Sequence, residues 1–156
     1  MNQISKILPA HNVAIGVEAS SKKRAFEQAA LLLENQYGIA RSAVFDSLIA
    51  RERLGSTGLG QGVAIPHGRI KSLKQAIAVF MRLSAPIQFE APDAKPVDLM
   101  VFLLVPEHAN QEHLEILSEL AQMLSDKSFR ERLSTLANTL EIHAAFTNWT
   151  SIASAV

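Results

Sequence analysis

Hydrophobic spacing divides the chain into helices at both ends with strands between them. Val13 to Val17 (VAIGV) is a short β-branched run suited to a strand, and Ser20 or Ser21 offers an N-cap for the helical segment after it. Phe26, Ala29, Ala30, Leu33 and Tyr37 recur at i, i+3, i+4, i+7 and i+11, which lays one apolar stripe on a helix ending near Gly38. A second helix is expected from Ser42 to Leu54, with Val44, Phe45, Leu48 and Ile49 inward and Gly55 as a left-handed stop. Val63 to Pro66 should be a short extended segment ending at His67, because Pro66 lacks an amide hydrogen. Ile77 to Leu83 and the almost wholly apolar Val97 to Val105 read as fuller strands, the second buried on both faces, and the proline-rich APIQFEAPDAKP between them reads as a turn region.

The last third is helical in pattern. Asn110 can cap a helix whose Leu117, Leu120, Ala121 and Leu124 form a stripe, and Asp126 can cap a shorter one holding Phe129 and Leu133. Asn138 to Glu141 resembles a capping box ahead of Ile142, Ala145, Phe146 and Trp149. The end of the chain, 150–156, is expected to fray. Strands mixed with flanking helices, without a repeat or linker, give an α/β layered sheet in one domain spanning residues 1–156.

Composition narrows the function. Fifteen Lys and Arg balance fifteen Asp and Glu, so no overall field is available to hold a nucleic-acid backbone or an anionic membrane surface. The 156 residues include no cysteine, which removes disulfides, thiolate metal sites and cysteine nucleophiles, and fits a reducing compartment. The longest apolar stretch, Leu99 to Val105, is far below the ~18 to 20 residues needed to span a bilayer. MNQISKILPAHN has no basic run followed by an apolar segment, so no secretory signal is read and a cytoplasmic location is expected.

Residues 55–62, GSTGLGQG, hold four of the seven glycines and are expected to form a loop. Their spacing is not GxGxxG, the loop follows a helix where a dinucleotide site needs a strand, and no GK[ST] is present, so a plain connection is favoured over a nucleotide site. His108 and His113 are five residues apart, about 140° around a helix at ~100° per residue, which is poor metal-ligand geometry. With no HExxH either, no metal and no cofactor are expected. His11 and His143 read as surface or boundary residues. His67 differs in setting: Pro66 and the bias it places on Ile65 hold the imidazole at the end of a rigid segment, Gly68 adds no side chain beyond it, and a glycine loop able to present amides to an anion lies alongside. That arrangement suits phosphoryl transfer, though a satisfied strand-end histidine explains the position equally simply.

The stretch RERLGSTGLGQGVAIPHG, Arg51 to Gly68, resembles the active-site region of phosphotransferase-system enzyme IIA proteins of the mannitol/fructose type. The matching positions are Glu52, Leu59-Gly60 and Val63-Ala64-Ile65-Pro66-His67-Gly68. The likeness extends over nearly the whole chain, is greatest to the nitrogen-regulatory subgroup, and includes the SKKRA segment from Ser21 to Ala25 and the helix opening with QEHLEIL. It implies a mixed, roughly five-stranded sheet flanked by helices and a relay driven by phosphoenolpyruvate, in which a histidine-containing phosphocarrier hands its phosphoryl group to His67. His113 matches a second histidine near that group, and Arg51 an arginine of the same pocket. Ser56, Thr57 and Gly68 are candidate phosphate contacts, with loop stabilisation an equal alternative for Ser56 and Thr57. Partners are expected to dock over Leu59 to Gly68. The implied role is regulation of protein partners by phosphorylation state; the alternative is a IIA subunit of a fructose/mannitol-type uptake system passing phosphate to a separate IIB.

Overall fold

The computed structural model describes residues 2–109 and 111–150. Asn110 and residues 151–156 lie outside the described residues, so the expected Asn110 cap and all but Thr150 of the expected frayed end fall there.

Strand β1 (Val13–Val17) precedes helix α1 (Lys22–Tyr37), which starts where the Ser21 hydroxyl accepts the Arg24 amide at 3.1 Å. It stops at Gly38, whose φ of 69° lets its amide bond back to Glu34. Helix α2 (Arg41–Arg53) buries Val44 and Leu48 and leaves Phe45 and Ile49 at the core margin. Then come β2 (Gly58–Gly60), β3 (Val63–Ala64), β4 (His67–Ile70), β5 (Ile77–Ile87) and β6 (Val97–Pro106). Helices α3 (Gln111–Ser125), α4 (Lys127–Thr135) and α5 (Thr139–Asn148) close the chain, the last two capped by Asp126 and Asn138 as expected.

The sheet is mixed, in the order β1-β5-β6-β3-β2, with β4 also paired to β6. Six strands form it where about five were expected, because the glycine loop contributes one and Pro66 divides another. Val63 pairs with Leu99 and His67 with Leu103, a constant offset, so β3 and β4 are one parallel path along β6 broken only at Ile65-Pro66. The residue without an amide hydrogen sits at the break, and its carbonyl still accepts the Leu103 amide at 3.0 Å. His67 therefore opens a strand instead of ending one. Residues 58–60, expected to be irregular, pair antiparallel with β3 through a tight turn in which Gly60, Gln61 and Gly62 all have positive φ.

Side-chain alternation along β6 builds two cores. Leu99, Val101, Leu103 and Val105 face α3, α4 and α5, while Met100, Phe102 and Leu104 face α1 and α2. The same period carried through β3 and β4 places Ile65 on the α3 side and Ala64 and Ile70 on the α2 side. His67 and Arg69 thus share the α3 face, and Gly68 turns toward α2. Along α3 the buried stripe is Ile116, Leu120, Met123 and Leu124, which keeps the expected Leu120 and Leu124; Leu117, packed at the core margin, and Ala121 line a depression beside His67.

Candidate functional site

His67 stands half-buried at the start of β4, and its Nδ1 lies 2.8 Å from the Ile65 carbonyl. A carbonyl only accepts, so Nδ1 carries the proton and Nε2 is left with its lone pair. Burial pushes the His67 pKa below the usual histidine value, the Ile65 bond acts against that shift, and the charges of Arg51 and Glu52 pull in opposite directions, with a net lowering. The ring is thus held neutral in one tautomer, with a nucleophilic nitrogen available near pH 7.

His113, in the first turn of α3, faces it with ring centroids 6.2 Å apart and an interplanar angle of 54°. Forty-six residues separate the two in sequence, and the parallel path along β6 brings them together. Burial is the main cause of a lowered His113 pKa, followed by the positive charge of Arg69 and the influence of His67. Its Nδ1 is buried without a hydrogen-bond partner among the described residues. An unpaired acceptor lone pair there costs less than an unpaired N–H, which favours the tautomer with the proton on Nε2.

The loop between α2 and β2 forms the other wall. Glu52, with a side chain 6% exposed, accepts the Thr57 hydroxyl at 2.5 Å, the Thr57 amide at 3.0 Å and the Lys22 ammonium at 2.9 Å. Lys22 in turn lies 4.3 Å above the Phe89 ring. The Ser56 hydroxyl donates to the Phe89 carbonyl and accepts the Gly58 amide. Both candidate hydroxyls thus donate to protein acceptors, Ser56 to the Phe89 carbonyl and Thr57 to Glu52. Arg51 donates to the Gly55 carbonyl at 2.9 Å, and its charge reaches His67. Together with Leu59, Leu117 and His67 it lines a shallow cavity of about 250 Å³.

Gly68 is buried, and a Cβ there would collide with the Ser47 hydroxyl of α2. Its lack of a side chain admits α2 against the strand, so a candidate phosphate contact at this position rests on its backbone; Leu59, 44% exposed, is on the surface. Sequence reasoning missed Arg69, whose Nη1 donates to the carbonyls of Glu107 and Ala109. The one signal for it was its place two residues after His67, on the same face of the strand. His11 contacts Tyr37 and His143 the Leu8 carbonyl, both away from the site. Among the described residues no group of acidic and histidine side chains could hold a metal ion, and no helix is long and apolar enough to cross a membrane.

Residues 6–149 match the family described as phosphoenolpyruvate-dependent sugar phosphotransferase system, EIIA 2. A nitrogen regulatory protein of Pseudomonas aeruginosa is 42% identical over 134 residues, covering 85% of this chain and 87% of its own. The crystal structure of nitrogen regulatory protein IIA-Ntr from Neisseria meningitidis is similar at 52% identity with a TM-score of 0.87, covering 92% of this chain and 99% of its own. That of IIA mannitol from Escherichia coli is similar at 25% identity and a TM-score of 0.74, covering 88% and 96%. A match over almost the full length, with the paired histidines on the fold these relatives share, places this chain in the EIIA type 2 family of the phosphoenolpyruvate-dependent phosphotransferase system.

Proposed function

We propose that this protein is a phosphoryl relay of the nitrogen-regulatory kind, accepting a phosphoryl group on His67 Nε2 from a phosphohistidine carrier and altering its protein partners by its phosphorylation state. The observation that carries the reading is the bond from His67 Nδ1 to the Ile65 carbonyl, which leaves Nε2 as the nucleophile in a pocket facing His113. In the transfer, the Nε2 lone pair forms the new N–P bond as the carrier's N–P bond breaks and its imidazole departs with the bonding electrons. The His67 ring becomes cationic, and the Nδ1 proton stays bonded to the Ile65 carbonyl. The transition state is loose, so the protein's work is alignment and charge stabilisation. Arg51, in the last turn of α2, and the Nε2–H of His113 supply donors to the phosphoryl oxygens, while Ser56 and Thr57 hold the loop whose Gly55 carbonyl anchors Arg51.

The phosphoryl group brings about 1.5 to 2 negative charges, offset in part by the cationic ring beneath it. Leu59 and Leu114, 44% and 56% exposed, lie on the two segments that wall the site, so a partner seated on them would meet that charge directly. The regulatory reading draws on the nitrogen regulatory relatives. The likeness to IIA mannitol favours a second reading, delivery to a separate IIB domain. Incubation with phosphoenolpyruvate, the first enzyme of the relay and a histidine phosphocarrier should add one acid-labile phosphoryl group, and His67→Ala should accept none. Labelling that persists in His67→Ala contradicts the reading. Rapid discharge onto a fructose-type or mannitol-type IIB would favour the second.

A further inference from the structure

Arg69 ties the strand that carries His67 to the connection that leads to His113. It lies on β4 two residues beyond His67 and on the same face. Its backbone is fixed from two sides: it is in register with Val105 of β6, and its carbonyl accepts the Ser47 hydroxyl of α2 at 2.9 Å. From that anchored strand the guanidinium reaches across to donate to the Glu107 carbonyl at 2.9 Å and the Ala109 carbonyl at 3.3 Å. Those carbonyls belong to the connection between β6, which ends at Pro106, and α3, which begins at Gln111. His113 is the third residue of α3, so the angle at which this connection leaves the sheet sets where its imidazole stands.

We propose that Arg69 is a positioning residue of the relay: by holding the two carbonyls of the β6–α3 connection it places His113 opposite His67, with its donor edge toward the incoming phosphoryl group. The proposal rests on the relay reading above. The arginine acts through His113 and needs no contact with the phosphoryl oxygens. Its charge also bears on the His113 ring, favouring the neutral form. The other groups around that ring are His67 from β4 and, about a cavity on its far side, Lys6, Lys74 and His108, with Glu112 on its own helix.

The test uses the full chain, a phosphorylated histidine carrier, single-turnover kinetics and NMR titration of the His113 ring. Arg69→Gln should slow the maximal transfer rate about tenfold while the half-saturating carrier concentration changes less than about twofold, since the defect lies in alignment. His113 should titrate closer to an ordinary histidine. In a His113→Ala background the same substitution should cost less than about a further twofold, because the residue it positions is gone. Arg69→Lys keeps the charge but not the planar fork, so it should retain the low His113 titration and lose part of the rate. A wild-type rate in Arg69→Gln, or an equal slowing with and without His113, would overturn the proposal. Should Arg69→Gln fail to fold, the Arg69→Lys and His113→Ala pair runs the same cycle. Failure of the relay reading is separate: the wild-type chain would then accept no phosphoryl group, whereas the His113 titration still reports on Arg69.

Discussion

On one flank of His67, the loop after α2 is saturated with hydrogen bonds: Glu52 alone accepts three, and Ser56 and Arg51 close the turn around them. On the other flank, His113 has a buried ring nitrogen with no partner among the described residues and stands at the start of a helix whose connection to the sheet accepts hydrogen bonds from the exposed Arg69. The first wall has its donors matched internally and so is rigid. The second carries the unpaired Nδ1 of His113, and the Nε2–H on the other side of that ring is the donor proposed for the phosphoryl group. A phosphoryl site needs both kinds of wall, because a fixed surface orients the acceptor while spare donors are what the transferring oxygens recruit.

If the loop wall is structural, its loss should be read in stability. Glu52→Ala strands the half-buried Lys22 ammonium and the Thr57 amide and hydroxyl, and should cost about 2 to 3 kcal/mol in urea unfolding, the largest effect expected among these changes. A stability change under about 0.5 kcal/mol would show that the network is dispensable. On the opposite wall, His113→Ala should leave urea unfolding almost unaltered and slow phosphoryl acceptance by about a hundredfold, as loss of a transition-state donor does. Equal rates would return His113 to an ordinary first-turn residue. Gly68→Ala probes the seam between β4 and α2; the added methyl group meets Ser47, and overpacking of about 1 to 2 kcal/mol should appear with a modest loss of rate. Full stability in that variant would mean that α2 can shift away from β4 at no cost.

The pH profile gives the smallest and most specific effect. Both histidine pKa values are lowered, chiefly by burial, so the protonated, non-nucleophilic form of His67 accumulates only below the usual histidine value of 6.5. Acceptance should therefore stay level as pH falls from 8 to about 6.5 and decline only below that. A decline that begins near pH 7 would contradict the burial of His67.

The helices were the most legible part of the chain. Serine and aspartate caps and 3.6-residue stripes are local signals, and α1, α4 and α5 appear where those signals put them. What escaped depends on partners distant in sequence. Strand β2 has three residues, too short for any period, and exists because β3 and the turn at Gly60 to Gly62 support it, whereas β3 falls inside the expected Val63 to Pro66 segment. Of the expected α3 stripe, Leu120 and Leu124 are buried in the core; Ile116 and Met123 complete it, while Leu117 and Ala121 also line the depression beside His67. At the site, His67 was marked by Pro66 and the glycines around it. Its pairing with His113 came only through family resemblance, since no local pattern links residues on different elements. Arg69 left no mark beyond strand alternation, because its effect is exerted on backbone carbonyls across the sheet.

The central claim, that His67 accepts a phosphoryl group on Nε2 while Nδ1 stays bonded to the Ile65 carbonyl, is tested most directly by a long-range proton–nitrogen NMR spectrum of the phosphorylated, 15N-labelled protein. The phosphorus coupling should fall on Nε2 of His67, with Nδ1 retaining its proton. Coupling on Nδ1, or on a ring nitrogen of any other histidine, would contradict that claim.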